Sequence, residues 1–539
     1  MAVLRAAMTG LYPVINRVPG ELRLASEYSM PYLACCPRMC LVAYKACLLQ
    51  RLKQENVMMA TRSRAPEFPA GLEWFNVDAP VSLADQNGRV VLIDFCAWSS
   101  VCCQQALHDL RVLGRKYRDG LVIISVHSPR FSAEMRRSHV LKAINRHHIS
   151  HPVAHDPDLK LWNMYGIKGW PTQVLIDREG TILGAISGGG KLPQLDQIIK
   201  YQIEKNSISK PFKKLSCITM HAPEPRRLLS FPGRIVATDD RLYVADSGHN
   251  RILVMSLDGH VLRQYGSAAA GLIDGNGTGA AFCNPQGMAL ADDFLYVADE
   301  GNHAIRRIHM RTDDVDTIAG TGKIGQSIPG SCGTPVNAGL NSPRDVVFKD
   351  GKLYIAMPGS HQIWRLSLVT NKIEVFSGTG RQGLLDGPAS TAVFSQPSGL
   401  TPLLNRLYVV DAGTSAVREV DIETGAVRTI VGEGLFDFGD HDGTGRAARL
   451  QYPLDISADP MHRMLWVADA YNNKIKRIGV SSEFVSSVVV NHRLDEPGGL
   501  VFHDDTLYIA NTNAHEILNL NPNNGRAEAL NVTEEFIEI

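Results

Sequence analysis

Two adjacent cysteines, Cys102 and Cys103, stand in DFCAWSSVCCQQALHDL (residues 94–110), where an apolar β-branched run, GRVVLIDF, gives way to QQALHDLRVLGRKY, whose apolar residues recur at helical spacing. Thiol chemistry suits such a junction, because the partial positive charge at a helix N-terminus stabilises a thiolate. The usual dithiol spacing is Cys-x-x-Cys, and here that window reads Ser100-Val101-Cys102-Cys103. A serine hydroxyl cannot attack a disulfide at neutral pH. Cys102 and Cys103 cannot replace the missing pair, since adjacent helical residues do not face each other and a bridge between them would be strained. Cys96, at the strand end, is a further thiol that could approach either of them. The window reads as the remnant of a redox centre, with a residual single-thiol or redox-sensing role for Cys103 or Cys102 as the alternative.

Other chemistry-bearing groups give weaker signals. His147, His148, His151 and His155 cluster downstream without a His-x₃-His spacing or a convergent carboxylate, so helix-end and turn roles are expected. DGNGTG (274–279) and DHDGTG (440–445) look superficially like calcium loops but lack the bidentate acid at the required distance. AGTGKIG is not followed by the Gly-Lys-Ser/Thr of a phosphate-binding loop. CCPRMC (35–40) has no histidine or second cysteine pair at zinc-ligand spacing. No metal and no cofactor are expected.

The elements that must position these residues fall into two grammars. From about residue 66 to 205, strands alternate with helices: strands at 89–95, 120–128 and 151–156, helices at 103–118, 132–148, 157–166 and 192–205, and a hairpin over 172–187 turning at DREG. Buried strands alternating with helices imply an α/β layer fold around one sheet. From about 228 a different unit recurs: RLYVADSGHNRILVM, FLYVADEGNHAIRRI, KLYIAMPGSHQIWRL, RLYVVDAGTSAVREV, MLWVADAYNNKIKRI and TLYIANTNAHEILNL. Six copies, each with four short strands, are the signature of a β-propeller. The Asp that ends the second strand (Asp246, Asp299, Asp411, Asp469) is expected to accept backbone N–H bonds in the turn that follows. Met357 and Asn511 stand at that position in the third and sixth copies, and those turns should be satisfied differently. His249, His303, His361 and His515 read as equivalent turn positions, and the basic residues of RRI and KIKRI as solvated strand faces.

Composition sets limits. The 539 residues suggest roughly three domains. Lys+Arg and Asp+Glu are both 55, which argues against nucleic acid as a partner. No apolar stretch reaches the roughly 20 residues of a membrane span, since YLACCPRMCLVAYKACLL is interrupted by Arg38 and Lys45. Ten irregularly spaced cysteines do not form a disulfide framework, which favours a reducing compartment and a cytoplasmic location. Residues 1–65 read as a disordered extension; their arginines and scarcity of acid leave a mitochondrial leader as the alternative.

VVLIDFCAWSSVCC together with YGIKGWPTQVLIDREG resembles the thioredoxin-like redoxins of the TlpA type. That resemblance implies a nucleophile position at Ser100, a resolving position at Cys103 and a cis-proline at Pro171 opposite them. DSGHNRI and DAYNNKI resemble the core of NHL repeats. The expected fold is therefore an α/β thioredoxin-like domain (66–205), a linker (206–227) and an all-β six-bladed NHL propeller (228–539). A family of proteins with this domain order is what the whole resembles; its members carry Cys-x-x-Cys and continue into a further β-domain, whereas this sequence has Ser100 and ends at Ile539. The run KLSCITMH (214–221) is expected to pair with the outer edge of the sixth blade and lock the ring. The functional expectation is a scaffold that binds other proteins through the propeller faces, with a thiol-disulfide oxidoreductase using Cys103 as the alternative.

Overall fold

The computed structural model describes residues 63–205, 227–325 and 332–534. The run 214–221 lies outside them. In the first unit, β1 (Glu73–Phe75), β2 (Val90–Cys96), β3 (Leu121–His127), β4 (Val153–His155), β5 (Thr172–Ile176) and β6 (Ile182–Ser187) form one sheet in the order β1-β4-β3-β2-β5-β6. β2, β3 and β4 run parallel, because each crossover carries a helix: α1 (Val101–Lys116) and α2 (Arg137–Arg146). α3 (Lys160–Met164) and α4 (Leu192–Glu204) complete the unit. β2 and β3 are mostly apolar, interrupted by Asp94, Ser125 and His127, and are buried on both faces, one against α1 and α4, the other against Leu161 and Trp162. The expected helix over 132–148 is broken: a single 3-10 turn (Ser132–Met135) precedes α2. Glu134 is the cause, since its buried carboxylate accepts the N–H groups of Ser99, Arg130 and Phe131 and fixes the chain there as a loop.

Six antiparallel sheets follow, each built from an inner, second, third and outer strand. The second strands carry the recurrent aromatic: Tyr243, Tyr296, Tyr354, Tyr408, Trp466 and Tyr508 are all buried between neighbouring blades. The glycine-rich insertions are edge strands. Gly275–Asn276 pairs with the outer strand Asp314–Ala319, Cys332–Gly333 with Lys372–Ser377, and Gly443–Thr444 with Phe484–Ser487. Their acids have a structural use. Asp274, Asp386 and the pair Asp440/Asp442 neutralise Arg306, Arg418 and Lys476, whose side chains are wholly buried. The reading of RRI and KIKRI as solvated faces is thus corrected at Arg306 and Lys476. Arg306 and Arg418 also lie over Phe282 and Phe394, each at 5.0 Å from the ring centre.

The turn expectations need two further corrections. Asp246, Asp299, Asp411 and Asp469 accept N–H bonds from Ser230, Cys283, Ser395 and Gln451, in the loop entering the inner strand rather than in the following turn. Asn511 does the same with the Asp495 N–H, so the sixth blade does not differ. His249 is not equivalent to the other three histidines. It bonds Asp246, as Asn302 bonds Asp299 and Asn472 bonds Asp469. The true counterparts of His303, His361 and His515 are Asn250, Ser415 and Asn473, all left-handed. Each of these six accepts one backbone N–H from the next blade: Asn250 from Asn284, His303 from Ser342, His361 from Gln396, Ser415 from Tyr452, Asn473 from Glu496, and His515 from Phe231. The last of these joins blade six to blade one. A second tie is made at the rim, where Thr533 exchanges backbone bonds with Gly259 and Val261 of blade one.

The central channel is plugged by Arg234. Its guanidinium bonds Asp455 and the carbonyls of Ser398 and Leu454, with Asp345 at 3.4 Å. Asp345 and Asp455 in turn accept the N–H groups of Leu400 and Leu500, so one buried cluster ties blades one, three, four, five and six.

Candidate functional site between the two units

α1 begins at Val101 with Ser100 as its N-cap residue, and no side chain of the first unit caps it. The propeller does. Gln396, in the loop entering blade four, accepts the Val101 N–H through Oε1 at 2.8 Å. One of the unpaired amides that would otherwise stabilise an anion at the helix start is therefore already bonded. Tyr452, entering blade five, donates its hydroxyl to the Ser99 carbonyl at 2.6 Å. Ser100 is left only 8% exposed.

The thiols are no better placed for chemistry. Cys103 is fully buried among Leu107, Leu110 and Leu175, and burial, followed by the neighbouring Asp94 carboxylate, pushes its thiol well above the usual range. Cys96 is buried in the same cluster, pushed up by the same two causes, and its Sγ lies 3.7 Å from the Val126 carbonyl. Cys102 is partly exposed, yet burial of its sulfur still raises its pKa. All three are free thiols. The loop after β6 covers Cys102 closely: a Cβ at Gly189 would stand 3.3 Å from the Cys102 carbonyl oxygen. The Trp170–Pro171 bond is cis and leads into β5 beside this loop.

Sequence reasoning missed the polar floor beneath the thiols. Asp94 is fully buried, accepts the Gln173 amide at 2.8 Å and has its carboxyl pushed up to about 6 by burial. Ser125 links it to His151 at 2.7 Å, and burial holds that imidazole down at about 4. Of the other clustered histidines, His147 caps the C-terminus of α2, as expected. His155 instead lies in β4, its ring against that of His127 at 5.4 Å.

The contact between the units is wide and mixed. Phe131 is 1% exposed and inserts among Phe438, Tyr452 and Tyr471, with ring centres 4.9, 5.2 and 5.6 Å away. Arg130 donates to the Gly413 carbonyl, Ser132 to Gln451 and Gln105 to Asn341. Lys142 pairs with Asp495, and Arg146 with Glu496 at 2.8 Å. Every propeller residue in this contact belongs to loops on one face of the disc. Beside it, α1, α2 and loops of blades one, two, three, five and six enclose a cleft of about 860 Å³.

A thioredoxin-like domain whose Ser-Val-Cys-Cys junction is covered by one face of a six-bladed propeller is the class of protein that fold and site define. The thioredoxin-like family model matches residues 87–182 and the NHL repeat model residues 282–308. NHL repeat-containing protein 2 of Bos taurus is 36% identical over 510 residues, 84% of this chain and 69% of the relative, and the Homo sapiens protein is 35% identical over the same shares. Protein SUPPRESSOR OF QUENCHING 1, chloroplastic, of Arabidopsis thaliana is 35% identical over 86% of this chain and 47% of its own length. The chain belongs to the NHL repeat-containing protein 2 family. Among the described residues no helix is long and apolar enough to cross a membrane.

Proposed function

We propose that this protein is an interaction scaffold that binds other proteins through its propeller, and that its thioredoxin-like domain has given up dithiol exchange for a structural role on one propeller face. The observation that carries this reading is the bond from the Val101 N–H to Gln396, with Ser100 buried beneath it. A working dithiol site needs an exposed nucleophile at that point. In its place stand a serine and a side chain from another domain. In this reading Cys102, Cys103 and Pro171 are packing residues, and no cofactor, metal or nucleic acid enters the function. Affinity purification of the intact chain tests it. Defined protein clients should be recovered in equal amount by wild type and by the Cys103→Ser variant; clients held only as mixed disulfides, and lost with Cys103, would show an oxidoreductase instead.

A further inference from the structure

The cleft between the units is cationic at its mouth, and its three carboxylates are already engaged: Asp109 accepts the N–H groups of Leu192 and Lys191. Glu300 takes Arg344 through one oxygen and the Asn284 amide through the other. Glu496 takes Arg146 through one oxygen and Asn513 through the other. Arg111 is different. It lies on the face of α1 that runs Gln104, His108, Arg111, exposed where the cleft opens, and among the described residues its guanidinium bonds only the backbone carbonyl of His147. Lys323, on the opposite lip, has no ion pair among the described residues. His147 registers the local field: burial first, then the charges of Arg146, Arg111 and Arg344, drive its imidazole well below the usual range. Leu107 is a buried apolar wall and Ile324 an exposed one at the lip; the side-chain amides of Gln104 and Gln286 donate to the Trp98 carbonyl and to Asn284, and each keeps a second N–H. Its volume of about 860 Å³ lies within the range of roughly 300–1,000 Å³ typical of ligand sites, which favour domain interfaces.

We infer that this cleft is a binding site for an acidic peptide segment of a partner protein, with Arg111 and Lys323 receiving its carboxylates and the wall amides its backbone. A guanidinium without a carboxylate pairs bidentately with Asp or Glu. A peptide, unlike a simple inorganic anion, also uses the amides and the apolar walls. The inference rests on the scaffold reading and gives it a location and a partner chemistry.

Fluorescence polarisation with the full chain tests it, using a fluorescein-labelled peptide of alternating Glu and Gly and the matching Gln peptide. The acidic peptide should bind at least about tenfold more tightly than its Gln counterpart, with affinity falling as salt rises. Arg111→Glu should cost about tenfold or more and Arg111→Lys markedly less, a difference of about 1.4 kcal/mol or more. Arg311→Glu, on the far side of the disc, should change nothing. Because the Gln comparison uses wild-type protein, the test survives a misfolded variant. Equal affinity for the two peptides, indifference to Arg111→Glu, or full displacement by millimolar inorganic phosphate would each overturn the proposal. If the wild-type chain recovers clients but shows no preference for the acidic peptide, the cleft assignment falls and the scaffold reading stands. A wild-type chain that neither recovers clients nor binds the peptide would remove both.

Discussion

Phe131→Ala should undock the two units without unfolding either. The side chain is 1% exposed and touches Phe438, Tyr452 and Tyr471, all contributed by the propeller, at ring separations of 4.9–5.6 Å. Truncating a buried Phe costs about 3–5 kcal/mol, and here nearly all of that loss falls on the contact between units. At about 1.4 kcal/mol per factor of ten, the open population should rise about a hundredfold or more. The Val101 N–H reports it, because its acceptor is Gln396 across the interface. Hydrogen exchange followed by mass spectrometry over residues 99–106 should accelerate by that factor, since local opening sets the rate. The amides of β3, paired on both sides within the first unit, should keep their protection. Less than about tenfold acceleration would mean that the aromatic insertion does not hold the units together. Equal acceleration in β3 would mean that Phe131 supports the domain rather than the contact.

Other outcomes follow from the same geometry. Ser100→Cys alone should leave the intact chain without insulin reductase turnover, because the position is covered; combined with Phe131→Ala it should gain turnover, and activity from the single substitution would contradict the seal. His303 and His361 accept backbone N–H bonds and are held down at about 4 by burial. A folded-state value below the usual 6.5 means that the unfolded chain binds more protons between those limits, so each histidine adds stability above about pH 6.5 that is lost as pH falls toward 4. Buried Asp299 and Asp411, raised to about 6, oppose this trend. The comparison is therefore wild type against His361→Asn, which keeps an acceptor like Asn250: the variant should lose up to about 3 kcal/mol less between pH 6.5 and 4 in denaturant titrations. Arg234→Met should destabilise the propeller by about 3–5 kcal/mol, because it strands Asp345 and Asp455 as buried charges; adding Asp345→Asn and Asp455→Asn should recover much of the loss, and a silent single variant would show that the channel cluster is not a tie.

The order of strands and helices was legible because each element announces itself locally: the apolar, β-branched runs of β2 and β3, the helical stripe of α1, and the LYVAD-like line in every blade. The interface was not. Gln396 lies 295 residues from Val101, and Tyr452 lies 353 residues from Ser99. Both sit in loops, where no periodicity marks a buried side chain. Arg306, Arg418 and Lys476 were misjudged or passed over because an alternating pattern cannot tell a charge facing solvent from one facing a neighbouring strand. A signal did exist: Asp274, Asp386 and Asp442 precede them by 32, 32 and 34 residues, a repeat-locked acid for each buried base. The histidine latches were hidden by a one-residue offset, since GHN and GNH place His249 and His303 at different points of the same turn.

The central claim is that the thiol junction is sealed and chemically silent while the molecule works by binding. Insulin reduction in the presence of dithiothreitol, measured on the purified full chain beside its Cys103→Ser variant, tests this most directly. Both should run at the uncatalysed rate and be indistinguishable. Catalytic turnover by the wild type that disappears in Cys103→Ser would contradict the account.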